Sequence, residues 1–288
     1  MSDYIILTDS GCDIKESELA EWGVRRLDLT FKNVESSEDC TDRDVSVKEF
    51  YEMMRGGVVF QTSAANPDYL AQVFEREVSE GRDVLYICFS SGLSGTFGSA
   101  QLAAGEVEAK YPGRRVIVID SLCASAGHGL LVYLAKERRD AGAGLDELAA
   151  YVSETVPKVC HWFTVDDLVY LKRGGRVSAA ACFAATVLGI KPVLHVDDDG
   201  HLINMSKVRG RRLALKAMAD KYLQTAIDPK GGIYFISHGD CIEDAERLEN
   251  MIAAAVGHKA AHVSDIGPVI GAHSGPGTLA LFFLGTQR

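Results

Sequence analysis

The fold of this chain is indicated by one stretch, VLYICFSSGLSGTFGSAQLAA, which runs from Val84 to Ala104. It begins with a short apolar run typical of a buried strand, passes through a turn rich in serine and glycine, and continues as an alanine-rich helical pattern. Short apolar runs alternate with helical patterns on both sides of it, from Tyr4 to about residue 155. Alternation of this kind predicts βαβ units around a parallel sheet.

The pattern changes after residue 155. The segment KPVLHVDDDGHLINMSKV, residues 191–208, has two apolar runs around Asp-Gly, which is the signal of a β-hairpin. A hairpin combined with further βα units predicts a mixed sheet. At 288 residues the chain is long for a single core. We therefore predict a two-domain α/β protein that holds a ligand between its lobes: an N-terminal three-layer domain with a parallel sheet over 1–154, and a C-terminal α/β domain with a mixed sheet over 155–288.

The composition argues against several kinds of partner. Lys and Arg total 30 against 40 Asp and Glu, a net charge of −10, so no nucleic-acid partner is expected. The longest apolar run, residues 179–188, is about half as long as a membrane span, and the N-terminus lacks the basic region of a signal peptide. Seven cysteines without a CxxC spacing indicate reduced thiols and no zinc site. We expect a cytoplasmic protein without stable membrane insertion.

Three strands predicted for the first domain end in polar residues. The endings are Thr8 to Ser10, Ser90 with Ser91, and Asp120 with Ser121. In an open parallel sheet, ligands bind beyond the carboxyl ends of the strands. The sequence therefore predicts a ligand crevice at this edge, although serine and aspartate also cap helices for purely structural reasons.

Ser94, in the turn after the strand that contains Val84, allows three interpretations. A nucleophile elbow requires G-x-S-x-G, and the final glycine is replaced by Thr96 here. No histidine carries a local triad signature. Alternatively, Gly92 and Gly95 let the backbone approach an anion, which the free N–H groups of the following helix would attract. Ser94 can also be only a helix cap. No phosphate loop, G-x-x-x-x-G-K-[ST], occurs in the chain.

Two further segments supply candidate donors. FQTSAANP, residues 60–67, places Thr62 and Ser63 before a helix start marked by Asn66-Pro67. IGPVIGAHSGPG surrounds His273 with six glycines and prolines, and an imidazole can donate a hydrogen bond to a carboxylate. A local turn and a structural histidine are the alternative interpretations.

These segments together resemble the DegV family, whose members include the fatty-acid-binding subunits of bacterial fatty acid kinase. The resemblance covers about residues 3–287 in the family's order, and its pieces are LTDSGCDI, TSAANP, SSGLSGTF, VIDS, LVYLKRGGRVS, GIKPVL and IGPVIGAHSGPGTLALFF. One departure is that Ala65 stands where the family often has proline in the turn after Thr62.

The resemblance implies that one long-chain fatty acid is held in an apolar tunnel. Its carboxylate would be bound by Thr62, Ser94 and His273, with Ser63 and Gly95 as additional donors. A carboxylate only accepts hydrogen bonds, so it needs several donors. No catalytic residue, metal or cofactor beyond the bound fatty acid is implied. A separate ATP-dependent kinase subunit would convert the carboxylate to an acyl-phosphate for phospholipid synthesis. The alternative from a different class is a serine esterase or thioesterase with Ser94 as its nucleophile.

The sequence also contains candidate segments for the lining of the tunnel and candidate residues for the surface that faces the kinase. The alanine-rich helix predicted over Ser178 to Leu188 and the strand LALFFL, residues 279–284, either line the tunnel or belong to an ordinary core. Two basic clusters, LKRGGR and KVRGRR, lie in the second domain. We expect Arg173 and Arg209 from these clusters to face the kinase or the phosphoryl group, unless they are scattered solvated charges.

Overall fold

The computed structural model describes residues 4–36, 38–177, 189–286 and 288. The strands are β1 (Tyr4–Asp9), β2 (Val24–Leu27), β3 (Phe31–Asn33), β4 (Phe60–Thr62), β5 (Asp83–Cys88), β6 (Val116–Asp120), β7 (Val159–Thr164), β8 (Ile190–Val196), β9 (Leu202–Arg209), β10 (Tyr234–His238), β11 (His262–Asp265) and β12 (Leu279–Leu284). The helices are α1 (Glu16–Glu21), α2 (Val47–Arg55), α3 (Pro67–Ser79), α4 (Thr96–Lys110), α5 (Ser125–Asp140), α6 (Leu145–Thr155), α7 (Val169–Arg173), α8 (Arg211–Thr225), α9 (Ile242–Val256) and α10 (Pro268–Ser274). None of the helices in these ranges is long and apolar enough to span a bilayer.

The N-terminal part contains the parallel sheet that the strand–helix alternation predicts. Its strand order is β2-β1-β5-β6, and every neighbouring pair is parallel. Helices α3 and α4 pack on one face, and α5 and α6 pack on the other. The prediction of a three-layer α/β arrangement is confirmed for this part of the chain.

The C-terminal part contains a six-stranded sheet in the order β11-β10-β12-β7-β8-β9. Strands β10 and β11 are parallel, whereas the other pairs are antiparallel, so the predicted mixed sheet is confirmed. The predicted hairpin is β8–β9, with Val196 paired to Leu202 across the turn. The domain boundary after residue 154 stays a prediction.

Helix α5 lies between the two sheets. It contacts strands β7, β10 and β12 of the mixed sheet and shares one buried core with the inner face of the parallel sheet. A Cβ on Gly127 would lie 2.4 Å from the Nε2 atom of His161, and one on Gly129 would lie 2.6 Å from a side-chain carbon of Ile14. These two glycines let one helix approach both halves of the molecule closely, and the start of α5 lines the space between them.

A small cluster was not predicted from the sequence. Strands β3 and β4 form an antiparallel ribbon, and its aromatic residues pack with α2 and α10 in a separate core. Phe50 is central, with ring centroids 5.6 Å from Phe31 and 4.7 Å from Phe60. Helix α10, from the C-terminal part, is thereby fixed against a ribbon of the N-terminal part, and Thr62 at the end of β4 lies next to α10.

Candidate ligand-binding site

A cavity of about 940 Å³, open mouth included, lies between the two halves. Its lining is mainly apolar, with a polar end. The polar residues of the lining are Thr62, Ser63, Ser94, Ser125, His161, Arg176, His273, Ser274 and Thr278. All the carboxylate-binding candidates, Thr62, Ser63, Ser94, Gly95 and His273, therefore line the same cavity.

His273 and Thr62 are joined directly. The Nε2 atom of the imidazole lies 2.7 Å from the Thr62 hydroxyl oxygen. The other ring nitrogen, Nδ1, is buried without a hydrogen-bond partner in the described residues, and a Cβ on Gly174 would lie only 2.2 Å from it. Burial, followed by the positive charge of Arg176, lowers the pKa of His273 to about 4. The ring is therefore neutral at physiological pH.

Ser94 belongs to a chain of hydroxyl groups. Its Oγ atom accepts a bond from the Thr96 N–H at 3.2 Å and lies 2.9 Å from the Thr96 Oγ1 atom. That Oγ1 atom already accepts the N–H of Ala65 at 3.1 Å. Thr96 can therefore donate its proton to Ser94, which leaves the Ser94 proton free for a ligand. Among the described residues, no histidine is hydrogen-bonded to Ser94, so this geometry fits a donor better than an activated nucleophile.

The loop before Ser94 is held by the tip of the β8–β9 hairpin. Ser90 donates its hydroxyl to the Gly200 carbonyl at 3.1 Å. A Cβ on Gly92 would lie 2.6 Å from the carbonyl oxygen of Asp199, so glycine is required at this close approach. Gly200 itself has a φ of +79°, which favours glycine. The hairpin of the second sheet thus positions a cavity-lining loop of the first.

Two of the three polar strand ends lead into the cavity, because Leu93 to Gly95 after β5 and Ala124 with Ser125 after β6 line it. The Asp9 carboxylate, after β1, accepts bonds from the Tyr86 hydroxyl, the Phe89 N–H and the Gly11 N–H. Asp120, after β6, accepts the N–H groups of Ser91 and Leu122. These two carboxylates are occupied by hydrogen bonds within the loops, and the loop after β5 carries the carboxylate-binding candidates Ser94 and Gly95.

The structure separates the three basic residues of LKRGGR, which the sequence did not distinguish. Arg176 lines the cavity and donates to the carbonyl oxygen of Leu93 through Nε at 3.2 Å and Nη2 at 3.0 Å. Arg173 is exposed, with its guanidinium 5.8 Å from the centre of the Tyr170 ring. Arg209 is exposed at the end of β9. A place for Arg176 in the cavity lining was not predicted, because no pattern in the sequence marks it as different from its neighbours.

Of the two segments predicted as possible tunnel linings, the strand β12 is the one that the structure describes. Ala280 and Phe282 of β12 line the cavity, whereas Leu279, Leu281 and Phe283 point to the opposite core, beneath α8 and α9. This split follows from the two-residue period of a strand. The alanine-rich segment, residues 178–188, lies outside the described residues.

Fold and cavity together define the class: an α/β protein with a mainly apolar ligand cavity between a parallel and a mixed sheet, and hydrogen-bond donors at one end. The chain belongs to the DegV family. The family model, described as an uncharacterised protein of the DegV family, matches residues 4–286.

Relatives support this membership over the whole length. A DegV domain-containing protein from Clostridium perfringens, CPE0026, is 40% identical over 290 residues, which cover 100% of this chain and 99% of the relative. A solved DegV family protein from Thermus thermophilus, described for its fatty acid binding, has 29% identity and a TM-score of 0.87, covering 98% of this chain and 99% of its own. A Thermotoga maritima protein, whose structure is described as revealing a fatty acid binding function, has 27% identity and a TM-score of 0.82, covering 98% and 99%.

Proposed function

We propose that this protein binds one long-chain fatty acid in the cavity, with the carboxylate at Thr62 and Ser94 and the acyl chain along the apolar walls. The observation that carries the proposal is that donors from β4, from the loop after β5 and from α10 converge at one end of a mainly apolar cavity. The fatty acid binding described for the solved relatives from Thermus thermophilus and Thermotoga maritima supports it.

The hydrogen-bond donors of the site suit a carboxylate head group. A carboxylate accepts hydrogen bonds and donates none. If the neutral His273 carries its proton on Nε2, it donates to Thr62, and the Thr62 hydroxyl then donates into the cavity. The Ser94 hydroxyl donates in the same way, backed by Thr96. Gly95 precedes the fifteen-residue helix α4, so its N–H and the positive end of that helix also favour an anion.

The acyl chain supplies most of the affinity. Each buried CH₂ group contributes about 0.8 kcal/mol. A sixteen-carbon chain therefore gains on the order of 10 kcal/mol from burial, less the cost of ordering the ligand. The head-group donors fix orientation and select the kind of ligand, while apolar residues such as Phe163, Leu202 and Phe282 provide the walls.

The finer proposal is that this chain is a non-catalytic subunit in the cytoplasm. It would present the bound carboxylate to a separate ATP-dependent kinase, which forms the acyl-phosphate used in phospholipid synthesis. The sequence has no phosphate loop of its own, and the exposed Arg173 and Arg209 are available to a partner. The six described cysteines are free thiols, as a reducing compartment would keep them.

Native mass spectrometry of protein produced in a lipid-containing host tests the binding function. We expect about one fatty acid per chain, and a lower melting temperature after delipidation that returns when hexadecanoate is added. Absence of acyl chains in organic extracts, together with no thermal shift on addition, would disprove binding. Turnover of an acyl ester by the purified protein, lost in Ser94→Ala, would instead establish an esterase.

A further inference from the structure

Three polar side chains form a buried, hydrogen-bonded cluster where the two halves of the molecule meet. Asp13 lies in the loop after β1, Ser125 begins α5, and Ser237 belongs to β10 of the mixed sheet. The Asp13 carboxylate accepts the Ser125 hydroxyl, and the hydroxyl oxygens of the two serines are 2.8 Å apart. Each of the three residues is at most 8% exposed. These contacts hold the Ser125 hydroxyl in one place.

Of the three, Ser125 is the member that lines the ligand cavity. Next to it in the lining is His161, whose ring nitrogens are both engaged. Its Nε2 atom accepts the N–H of Ala124 at 3.3 Å, and its Nδ1 atom lies 3.1 Å from the carbonyl oxygen of Val159. The Phe282 ring packs edge-on against this imidazole, with the ring centroids 5.3 Å apart. Ser125 therefore interrupts a wall whose neighbouring groups are apolar or already hydrogen-bonded.

The cluster leaves part of the Ser125 hydroxyl free for a ligand. A hydroxyl group has one donor and two acceptor positions. With Asp13 ionised, Ser125 donates to the carboxylate, accepts from Ser237 and keeps one acceptor position. Burial raises the pKa of Asp13 to about 8, and with Asp13 protonated the Ser125 proton becomes available instead. Because a hydroxyl group on a ligand both donates and accepts, it can bond to Ser125 in either case.

Helix α10 sets the distance between Ser125 and the head-group donors. It lines the cavity along its length, through members of the segment 266–274. The N–H of Gly267, where α10 starts, is bonded to Asp13 of the cluster at 2.9 Å. His273 is six positions later, which is about 9 Å along a helix axis. An extended chain advances about 1.2 Å per bond, so Ser125 lies near about the eighth to tenth carbon of a bound fatty acid.

We propose that Ser125 is a second polar subsite of the cavity, which binds a hydroxyl group carried near the middle of the acyl chain. The ligand class is a mid-chain hydroxy fatty acid. This inference rests on the proposed function and extends it to substituted chains. Burying a hydroxyl group against apolar walls without a partner is unfavourable, so the hydrogen bond to Ser125 decides whether such an acid is accepted.

The test compares octadecanoate with its racemic 10-hydroxy and 5-hydroxy derivatives, delivered from the same cyclodextrin carrier to delipidated protein. We expect the wild type to bind the 10-hydroxy acid within about threefold of octadecanoate, and the 5-hydroxy acid roughly tenfold or more weakly than octadecanoate, because its hydroxyl group would face apolar walls. Ser125→Ala and Ser125→Gly should weaken binding of the 10-hydroxy acid, relative to octadecanoate, about 10- to 100-fold. Ser121→Ala removes a buried hydroxyl group from the same loop, outside the cavity lining, and should leave this ratio unchanged.

Glycine is one of the replacements because Ser125 has a φ of +55°, which glycine adopts without strain. Circular dichroism identifies folded variants, and either replacement is sufficient, since the ratio within each protein cancels a partial loss of active material. Equal penalties for the two hydroxy acids in the wild type, or a wild-type ratio in a folded Ser125 variant, would overturn the subsite while leaving fatty acid binding intact. Failure of the wild type to bind any of the three acids would overturn the proposed function, and this inference with it.

Discussion

The Nε2 atom of His273 lies 2.7 Å from the hydroxyl oxygen of Thr62, a residue 211 positions earlier in the chain. The ribbon β3–β4 brings Thr62 to this place, and the aromatic cluster around Phe50 holds α10 against the ribbon. Because the imidazole is engaged by Thr62, we expect its effect on a bound carboxylate to pass through that hydroxyl group.

This coupling predicts non-additive effects on hexadecanoate binding. Thr62→Val, which keeps the shape but removes the hydroxyl, should weaken binding by about 1.5–3 kcal/mol, the value of a hydrogen bond to a charged group. His273→Gln should weaken it less, and the double variant should resemble Thr62→Val alone. Thr62→Ser is the matched control and should bind nearly as the wild type does. Isothermal titration calorimetry of the wild type, the two single variants and the double variant completes a double-mutant cycle. Purely additive losses of binding free energy would show that the two residues act independently.

The lowered pKa of His273 predicts an acid-sensitive contribution to stability. Burial favours the neutral ring, so the pKa is about 4 in the folded protein and about 6.5 in the unfolded chain. The contribution is complete above pH 6.5 and is lost as the pH falls toward 4, because the unfolded state then binds the proton. Between pH 7 and pH 4.5, the free energy of unfolding measured in urea should fall by roughly 2 to 3 kcal/mol more in the wild type than in His273→Gln. Equal losses in both proteins would contradict the assignment.

Ser94→Ala is expected to weaken hexadecanoate binding by about 1.5–3 kcal/mol without abolishing it, since one hydrogen bond to a charge is lost while the acyl chain stays buried. The exposed Ser91, in the same loop, gives the control Ser91→Ala, for which we expect an unchanged Kd. Circular dichroism should show both variants folded. Unfolding of Ser94→Ala alone would identify Ser94 as mainly a helix cap.

Gly127→Ala tests the close packing between α5 and the mixed sheet. The added Cβ would lie 2.4 Å from the His161 Nε2 atom and 2.6 Å from a ring carbon of Phe282, so we expect a loss of about 1–3 kcal/mol in the free energy of unfolding. A Cβ added to Gly105, within α4, would meet no other atom within 4 Å. Gly105→Ala should therefore stabilise the protein by about 0.5–1 kcal/mol. A stable Gly127→Ala would mean that α5 can shift away from the sheet.

The fold was predictable because its signals are local. Short apolar runs marked the strands of both sheets, and Asn66-Pro67 marked the start of α3 at Pro67. Helix α10 was missed because its glycines and prolines read as a loop. Its start, Gly267-Pro268, nevertheless has proline at the first helical position, which is a helix signal. The β3–β4 ribbon was missed because two three-residue strands, separated by 26 residues, carry no pattern of their own.

The site was predictable only in part. The resemblance supplied Thr62, Ser94 and His273, but the contact between His273 and Thr62 is long-range and leaves no local signal. Arg176 differs from Arg173 only in orientation: one faces the cavity and the other the solvent. The two arginines are three residues apart along a turn, and counting charges in a sequence does not show which of them faces inward.

The exposure of Arg173 leads to the last prediction. Its guanidinium lies over Tyr170, and Arg173 is outside the cavity lining, to which Arg176, three residues later, belongs. If it serves the proposed kinase partner, Arg173→Glu should leave hexadecanoate affinity within about twofold of wild type while reducing acyl-phosphate formation by tenfold or more, since a charge reversal at an interface costs on the order of 1–2 kcal/mol or more. Lys158→Glu is the matched control, because Lys158 is exposed and precedes β7, whereas α7 follows the other end of that strand. The defect should shrink as ionic strength rises, since the Debye length falls to about 8 Å at 0.15 M salt. Phosphorylation equal to wild type at both low and physiological salt would remove Arg173 from the partner surface.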